Sequence, residues 1–185
     1  MFRISSALVL VAALLCSSHA FGKDVVDRPI SITFSPIHLA LPVFELTGEY
    51  AINPQIGLAG ILGVGQASVK DSLGNKESFS VFEAGASFRY YVLGTFRHGM
   101  QLGLEALYLS VEGEVDNAVG IGRGMSVGPF VGYKFIASFG LTVDIQGGIA
   151  YTLIGAEASN DSGDSASASQ DETLAILNLN FGWSF

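Results

Sequence analysis

Read backwards from its C-terminus, the chain is apolar at every second position. Phe185, Trp183, Phe181, Leu179, Leu177 and Ala175 alternate with Ser184, Gly182, Asn180 and Asn178. A period of two puts the two sets on opposite faces of one β-strand. Three aromatics on one face of a terminal strand suit lipid better than water, and the other face suits a polar interior. A sheet in lipid must also close on itself, because no water is present to satisfy an open edge of backbone N–H and C=O groups.

The opposite end agrees with export. Residues 1–20 hold one early cation, Arg3, an apolar run from Ala7 to Leu15 and the small-x-small triplet Ser18-His19-Ala20, the form of a secretory signal and its cleavage site. The run is too short to span a bilayer. A lipoprotein signal ending at Cys16 is the competing reading, but Leu15 stands where a small residue is expected. Cleavage after Ala20 removes 20 of 185 residues, leaving 165, and takes with it the single cysteine and Arg3, so the net charge moves from -8 to -9. An acidic chain of this kind argues against a nucleic-acid partner. The expected organisation is a signal peptide at 1–20, a short periplasmic segment at 21–29 and a barrel at 30–185.

Composition supports one domain with unusual solvent preferences. The chain is 49% hydrophobic and only 14% charged, with 23 glycines, yet it has no run of 18 apolar residues for a helical span. Eight alternating segments can be marked instead, at 30–41, 43–52, 56–69, 79–93, 100–114, 125–137, 141–156 and 173–185. Most reach the roughly 9 to 11 residues that a tilted strand needs to cross a bilayer. Their connections are alternately short, at 53–55, 94–99 and 138–140, and longer and polar, at 70–78, 115–124 and 159–172. The expected fold class is all-β: a closed antiparallel eight-stranded transmembrane β-barrel with short periplasmic turns and longer outer loops.

The turn centres fix a register, because residues equidistant from a hairpin's centre face each other on the same side. Pairing around Pro54 sets Tyr50 against Leu58 and Leu46 against Leu62 outside, with Glu49 against Ala59 and Glu45 against Gly63 inside. Pairing around Arg97 sets Tyr90 against Leu104 and Phe88 against Ala106 outside, and Arg89 against Glu105 inside. Pairing around Phe139 sets Phe135 against Val143 and Tyr133 against Ile145 outside, and Lys134 against Asp144 inside. Aromatics fall into two outward bands, one with Tyr50, Tyr90, Tyr133, Phe135, Trp183 and Phe185 toward the periplasmic end, the other with Phe44, Phe82, Tyr108 and Tyr151, as bilayer interfaces favour. A lipocalin-like barrel would turn the polar face to water, and that face carries too few charges for it.

The inward ionisable set is Glu45, Glu49, Glu83, Arg89, Glu105, Lys134 and Asp144, five acids to two bases. Eight strands enclose an interior that side chains fill, so a continuous water channel is not expected and the charges should pair. Two lumen ion pairs are expected: Arg89 with Glu105, and Lys134 with Asp144. The acidic excess leaves some of Glu45, Glu49 and Glu83 protonated, hydrated or facing cations.

The signal, the eight-strand rhythm and the ending Phe181-Gly182-Trp183-Ser184-Phe185 together resemble the small eight-stranded bacterial outer-membrane barrels of the OmpA transmembrane-domain and OmpX type. The resemblance implies a location in the outer membrane and an insertion signal at Phe181, Trp183 and Phe185, read by the barrel-assembly machinery. It also implies outer-membrane lipid and lipopolysaccharide as partners. A periplasmic peptidoglycan-binding domain after Phe185 is not expected, so neither is the anchoring role of full-length OmpA-like proteins. The expected role is structural or surface interaction, with a narrow pore or small apolar-molecule carrier second, and a lipid A modifying enzyme third.

No residue is assigned to catalysis, a cofactor or a metal. A Ser, His and Glu set is imaginable in Ser35, His38 and Glu45, but three positions along a strand put Ser35 and His38 on opposite faces unless Pro36 introduces a bulge. His38 is therefore expected to be a solvated rim residue. Asp161, Asp164, Asp171 and Glu172 lie in a Ser-rich outer segment that reads as disordered; their oxygens can meet divalent cations, although the spacing matches no EF-hand. Gly120-Ile121-Gly122-Arg123-Gly124 lacks the helix that a phosphate loop requires and reads as a flexible loop.

Overall fold

The computed structural model describes residues 26–39, 43–70, 76–115, 118–159 and 165–185. The expected signal at 1–20, most of the expected segment at 21–29, and Asp161 and Asp164 lie outside the described residues. Eight strands follow one another around a ring: β1 (Ile30–Phe34), β2 (Val43–Asn53), β3 (Ile56–Lys70), β4 (Lys76–Thr95), β5 (His98–Val115), β6 (Ala118–Ile136), β7 (Leu141–Ser159) and β8 (Ser165–Ser184). Every neighbour is antiparallel, and β1 pairs with β8, closing the barrel.

Alternation along each strand sorts the side chains. Outward apolar groups are exposed, among them Leu62 at 62%, Ile149 at 59% and Leu177 at 61%, whereas the inward Glu45, Glu49, Arg89, Lys134 and Asp144 are buried. Both aromatic bands face outward as expected, Trp183 and Phe185 included. The molecule thus has its polarity turned inside out relative to a water-soluble domain.

Register follows the turns at two of the three short connections. Tyr50 faces Leu58, Glu49 faces Ala59 and Glu45 faces Gly63 across β2 and β3, while Lys134 faces Asp144 and Tyr133 faces Ile145 across β6 and β7. Between β4 and β5 the expectation is off by two residues: Arg89 faces Gly103, Phe88 faces Leu104, and Glu105 faces Ser87. The turn there is tight, Thr95 pairing with His98, and an irregularity between Tyr91 and Leu93 takes up one further residue. A slip of two preserves every side chain's face, which is why the inward set survived while its partners changed.

The first expected strand, 30–41, is cut short. β1 ends at Phe34 and a single helical turn, α1 (Pro36–Leu39), follows. Pro36 cannot donate to a sheet ladder, and its fixed φ suits the first helical position, with Ser35 where a helix cap would stand. Conversely, β6 and β8 begin earlier than expected. Gly120 to Gly124 is strand, paired with β5 and β7, and the described part of the Ser-rich segment, from Ser165, pairs with β7 as far as Ser159. There β7 presents a row of backbone donors and acceptors, and local composition gives way to it.

The barrel is sealed at the end where the described N-terminal segment and the C-terminus lie. Phe96, from the β4–β5 turn, is fully buried against Ala51, Tyr91 and Ile136, with Val26 packed against the group. Arg28 clasps the same end, donating to the carbonyls of Ser138, Phe139 and Ser184 at 3.1, 3.4 and 3.1 Å.

Candidate functional site

The lumen has two halves of different chemistry. The sealed half holds a hydrogen-bonded network centred on Glu49 of β2. Its Oε2 accepts from Arg89 Nη1 at 2.8 Å and from Lys134 Nζ at 2.7 Å, and its Oε1 accepts from the Tyr91 hydroxyl at 2.9 Å. Arg89 Nη1 also donates to Asp144 Oδ2 at 2.6 Å, and Asp144 accepts from the Gln101 and Gln146 amides at 2.6 and 2.8 Å. Lys134 donates to Ser31 Oγ at 2.7 Å, and its ammonium lies 3.7 Å from the centre of the Phe96 ring. Two cations and two carboxylates therefore neutralise one another across the barrel, the condition for keeping such charges out of water.

Both expected ion pairs are corrected by this arrangement. Arg89 is salt-bridged to Glu49 and Asp144, not to Glu105, and Lys134 is salt-bridged to Glu49 although Asp144 lies opposite it in register. Long side chains in a closed barrel reach the far wall, so ladder position alone does not choose the partner. Glu105 is buried, but its Oε2 has no hydrogen-bond partner among the described residues. Sequence reasoning placed Glu49 inside but missed its central position, and missed Tyr91, Gln101 and Gln146 altogether. The alternation that marks all four as inward was the available signal.

Small residues make room for this network. A Cβ on Gly57 would overlap Glu49 Oε1, and one on Gly103 would overlap the Phe130 ring, which lies below the Arg89 guanidinium at 5.9 Å.

The other half of the lumen holds a largely apolar cavity. Leu107, Leu109, Val111, Ile154 and Leu174 line this cavity of about 230 Å³ with Glu83, Arg123, Ser126 and Thr152 also on its wall. Next to it, α1 brings His38 Nδ1 to 2.5 Å from Glu45 Oε2. His38 is thus a partly buried partner of Glu45, not the solvated rim residue expected. The contact with Glu45 and burial act in opposite senses on the imidazole, and Glu45 prevails, raising its pKa above the ordinary value. Ser35 is buried, and its hydroxyl has no partner among the described residues, so nothing couples it to His38 as a nucleophile to a base.

No protein-family model and no curated protein matches the sequence. Among solved structures, the chain is similar to a major outer membrane protein from Thermus thermophilus, with a TM-score of 0.50 and 12% sequence identity, over 84% of this chain and 99% of that one. The shared feature at this identity is the fold, a ring of antiparallel strands.

Proposed function

We propose that the chain is an integral outer-membrane β-barrel that does not conduct and acts at the cell surface. The observation that carries this reading is the inverted polarity: a continuous outward face of large apolar residues around an interior of buried, mutually neutralised charges. Only a bilayer removes the cost of such an exterior. The fold likeness to the Thermus thermophilus outer membrane protein supports the same location. The short turns and the C-terminus then lie in the periplasm and the long hairpins face outward, against lipopolysaccharide. Phe181, Trp183 and Phe185 serve as the signal to the barrel-assembly machinery, and the OmpA transmembrane-domain and OmpX type is the small-barrel description we adopt.

Arg89, Lys134 and Gln101 are at most 1% exposed and obstruct the sealed half, which speaks against the pore reading. The second reading is a binder of small apolar molecules, favoured by the cavity bounded by Leu107, Leu109 and Leu174. Outer-membrane fractionation, heat-modifiable gel migration and planar-bilayer recording test the proposal together. The expected result is a heat-modifiable protein of the outer-membrane fraction with no steady conductance. Recovery in a soluble fraction, or a stable open channel, overturns it.

A further inference from the structure

The half of the lumen with the cavity has a polar floor that the ionic network does not use. Glu45, Gly63 and Glu83 stand on one rung across β2, β3 and β4, with both carboxylates turned inward on either side of the glycine. A Cβ at Gly63 would sit 2.9 Å from Glu83 Oε2, so the missing side chain is what lets that carboxyl lean toward Glu45. Pro36 redirects the chain after β1, and the resulting turn lowers His38 onto the same spot. One donor atom from each of His38, Glu45 and Glu83 lies within 4.8 Å of the other two.

We propose that His38, Glu45 and Glu83 form a binding site for a divalent transition-metal ion, with zinc the best match. The donor set is one imidazole nitrogen and two carboxylate oxygens from three separate elements, a combination that favours zinc over magnesium or calcium. Tetrahedral ligands about 2.0 to 2.2 Å from a shared ion lie roughly 3.3 to 3.6 Å apart, so binding draws the widest donor pair, now within 4.8 Å, together by up to about 1.5 Å and eases Glu45 Oε2 away from its 2.5 Å contact with His38 Nδ1. Charge points the same way. Among the described residues neither Glu83 nor Glu105 makes an ion pair, and both are buried in this part of the barrel. Glu105, 3% exposed, leaves Oε2 without a hydrogen bond among the described residues. Buried acids in this number are relieved either by protonation or by a compensating cation, and the imidazole beside two of them favours the cation. Glu83 also lines the 230 Å³ cavity, which leaves the ion's remaining coordination open to whatever occupies that cavity.

The test uses the mature barrel without a histidine tag, folded in detergent micelles and checked by heat-modifiable migration. Isothermal titration with zinc chloride is run on wild type, His38→Ala, Glu83→Gln and the turn control His98→Ala. The expected result is one zinc per barrel, at least about tenfold weaker in His38→Ala and Glu83→Gln and unchanged in His98→Ala, with millimolar magnesium failing to compete. Cobalt(II) added in place of zinc reports imidazole ligation through its visible absorption, which His38→Ala abolishes. Absence of stoichiometric zinc binding by folded wild type, or equal affinity in folded His38→Ala, overturns the assignment. So does binding that is lost in His98→Ala instead.

Discussion

Lys134 and Asp144 face each other across β6 and β7, yet the Lys134 ammonium is bonded to Glu49 on the opposite side of the barrel, 2.7 Å away. The strand ladder places the lysine, and the cross-lumen reach of its side chain selects the partner. A double-mutant cycle measures the difference. Lys134→Met combined with Glu49→Gln should show a coupling of about 1 to 3 kcal/mol in urea unfolding from micelles. The same lysine change combined with Asp144→Asn should couple less than half as strongly. The reverse order would mean that the neighbouring strand, not the far wall, supplies the lysine's partner.

Glu49 and Glu105 are both buried acids, but only Glu49 is surrounded by donors. Glu49→Gln leaves Arg89 and Lys134 without their shared counter-charge and should cost roughly 3 to 5 kcal/mol. Glu105→Gln removes a carboxylate with an orphaned oxygen and should fall within about 1 kcal/mol of wild type or exceed it in stability. Equal losses for the two variants would show that Glu105 belongs to the network after all.

Two glycines of β3 make a matched pair. A Cβ at Gly57 overlaps Glu49 Oε1, whereas one at Gly60 meets nothing within 4 Å. Because Tyr91 holds Oε1 and two cations hold Oε2, the carboxylate cannot swing aside freely. Gly57→Ala should destabilise by about 1 to 3 kcal/mol, and Gly60→Ala should stay within about 0.5 kcal/mol. Unfolding midpoints that do not separate the two would remove the packing argument.

Phe185 has an outward ring, 61% exposed, and its backbone N–H donates to the Ile30 carbonyl at 2.8 Å. Deleting it should lower the amount of folded barrel recovered from outer membranes several-fold while changing the unfolding midpoint of the purified protein little. The ring's burial in a bilayer is worth at most about 1.5 to 3 kcal/mol. The assembly defect reflects loss of the terminal recognition position. Unchanged outer-membrane recovery would count against that role.

The fold was readable from particular residues. Tyr50, Leu58, Tyr133 and Ile145 alternate cleanly around punctuated turns, and their strands pair as the turns dictate. The hairpin around Arg97 was not, because an irregularity between Tyr91 and Leu93 carries no unambiguous sequence mark. Lumen membership of Arg89, Lys134, Glu49 and Asp144 follows from parity alone. Their pairing depends on barrel diameter and side-chain length, which no local pattern encodes. His38 meeting Glu45 was hidden for a different reason: a proline changed the backbone from strand to helical turn, and the strand-based parity argument ceased to apply.

The shortness of β1 bears on the order in which the ring forms. Every other pairing joins consecutive strands across one connection, so each can zip locally at small entropic cost. The joint between β1 and β8 is different, because it holds by Ser31 to Phe34 in register with β8 and the reciprocal backbone bonds of Ile30 and Phe185, and Arg28 reaches Ser184 across 156 positions of sequence. This seam therefore closes last, once the final strand has been made, and holds with the fewest rungs. Mechanical or thermal opening of the barrel should begin there, with the Arg28 guanidinium acting as the latch.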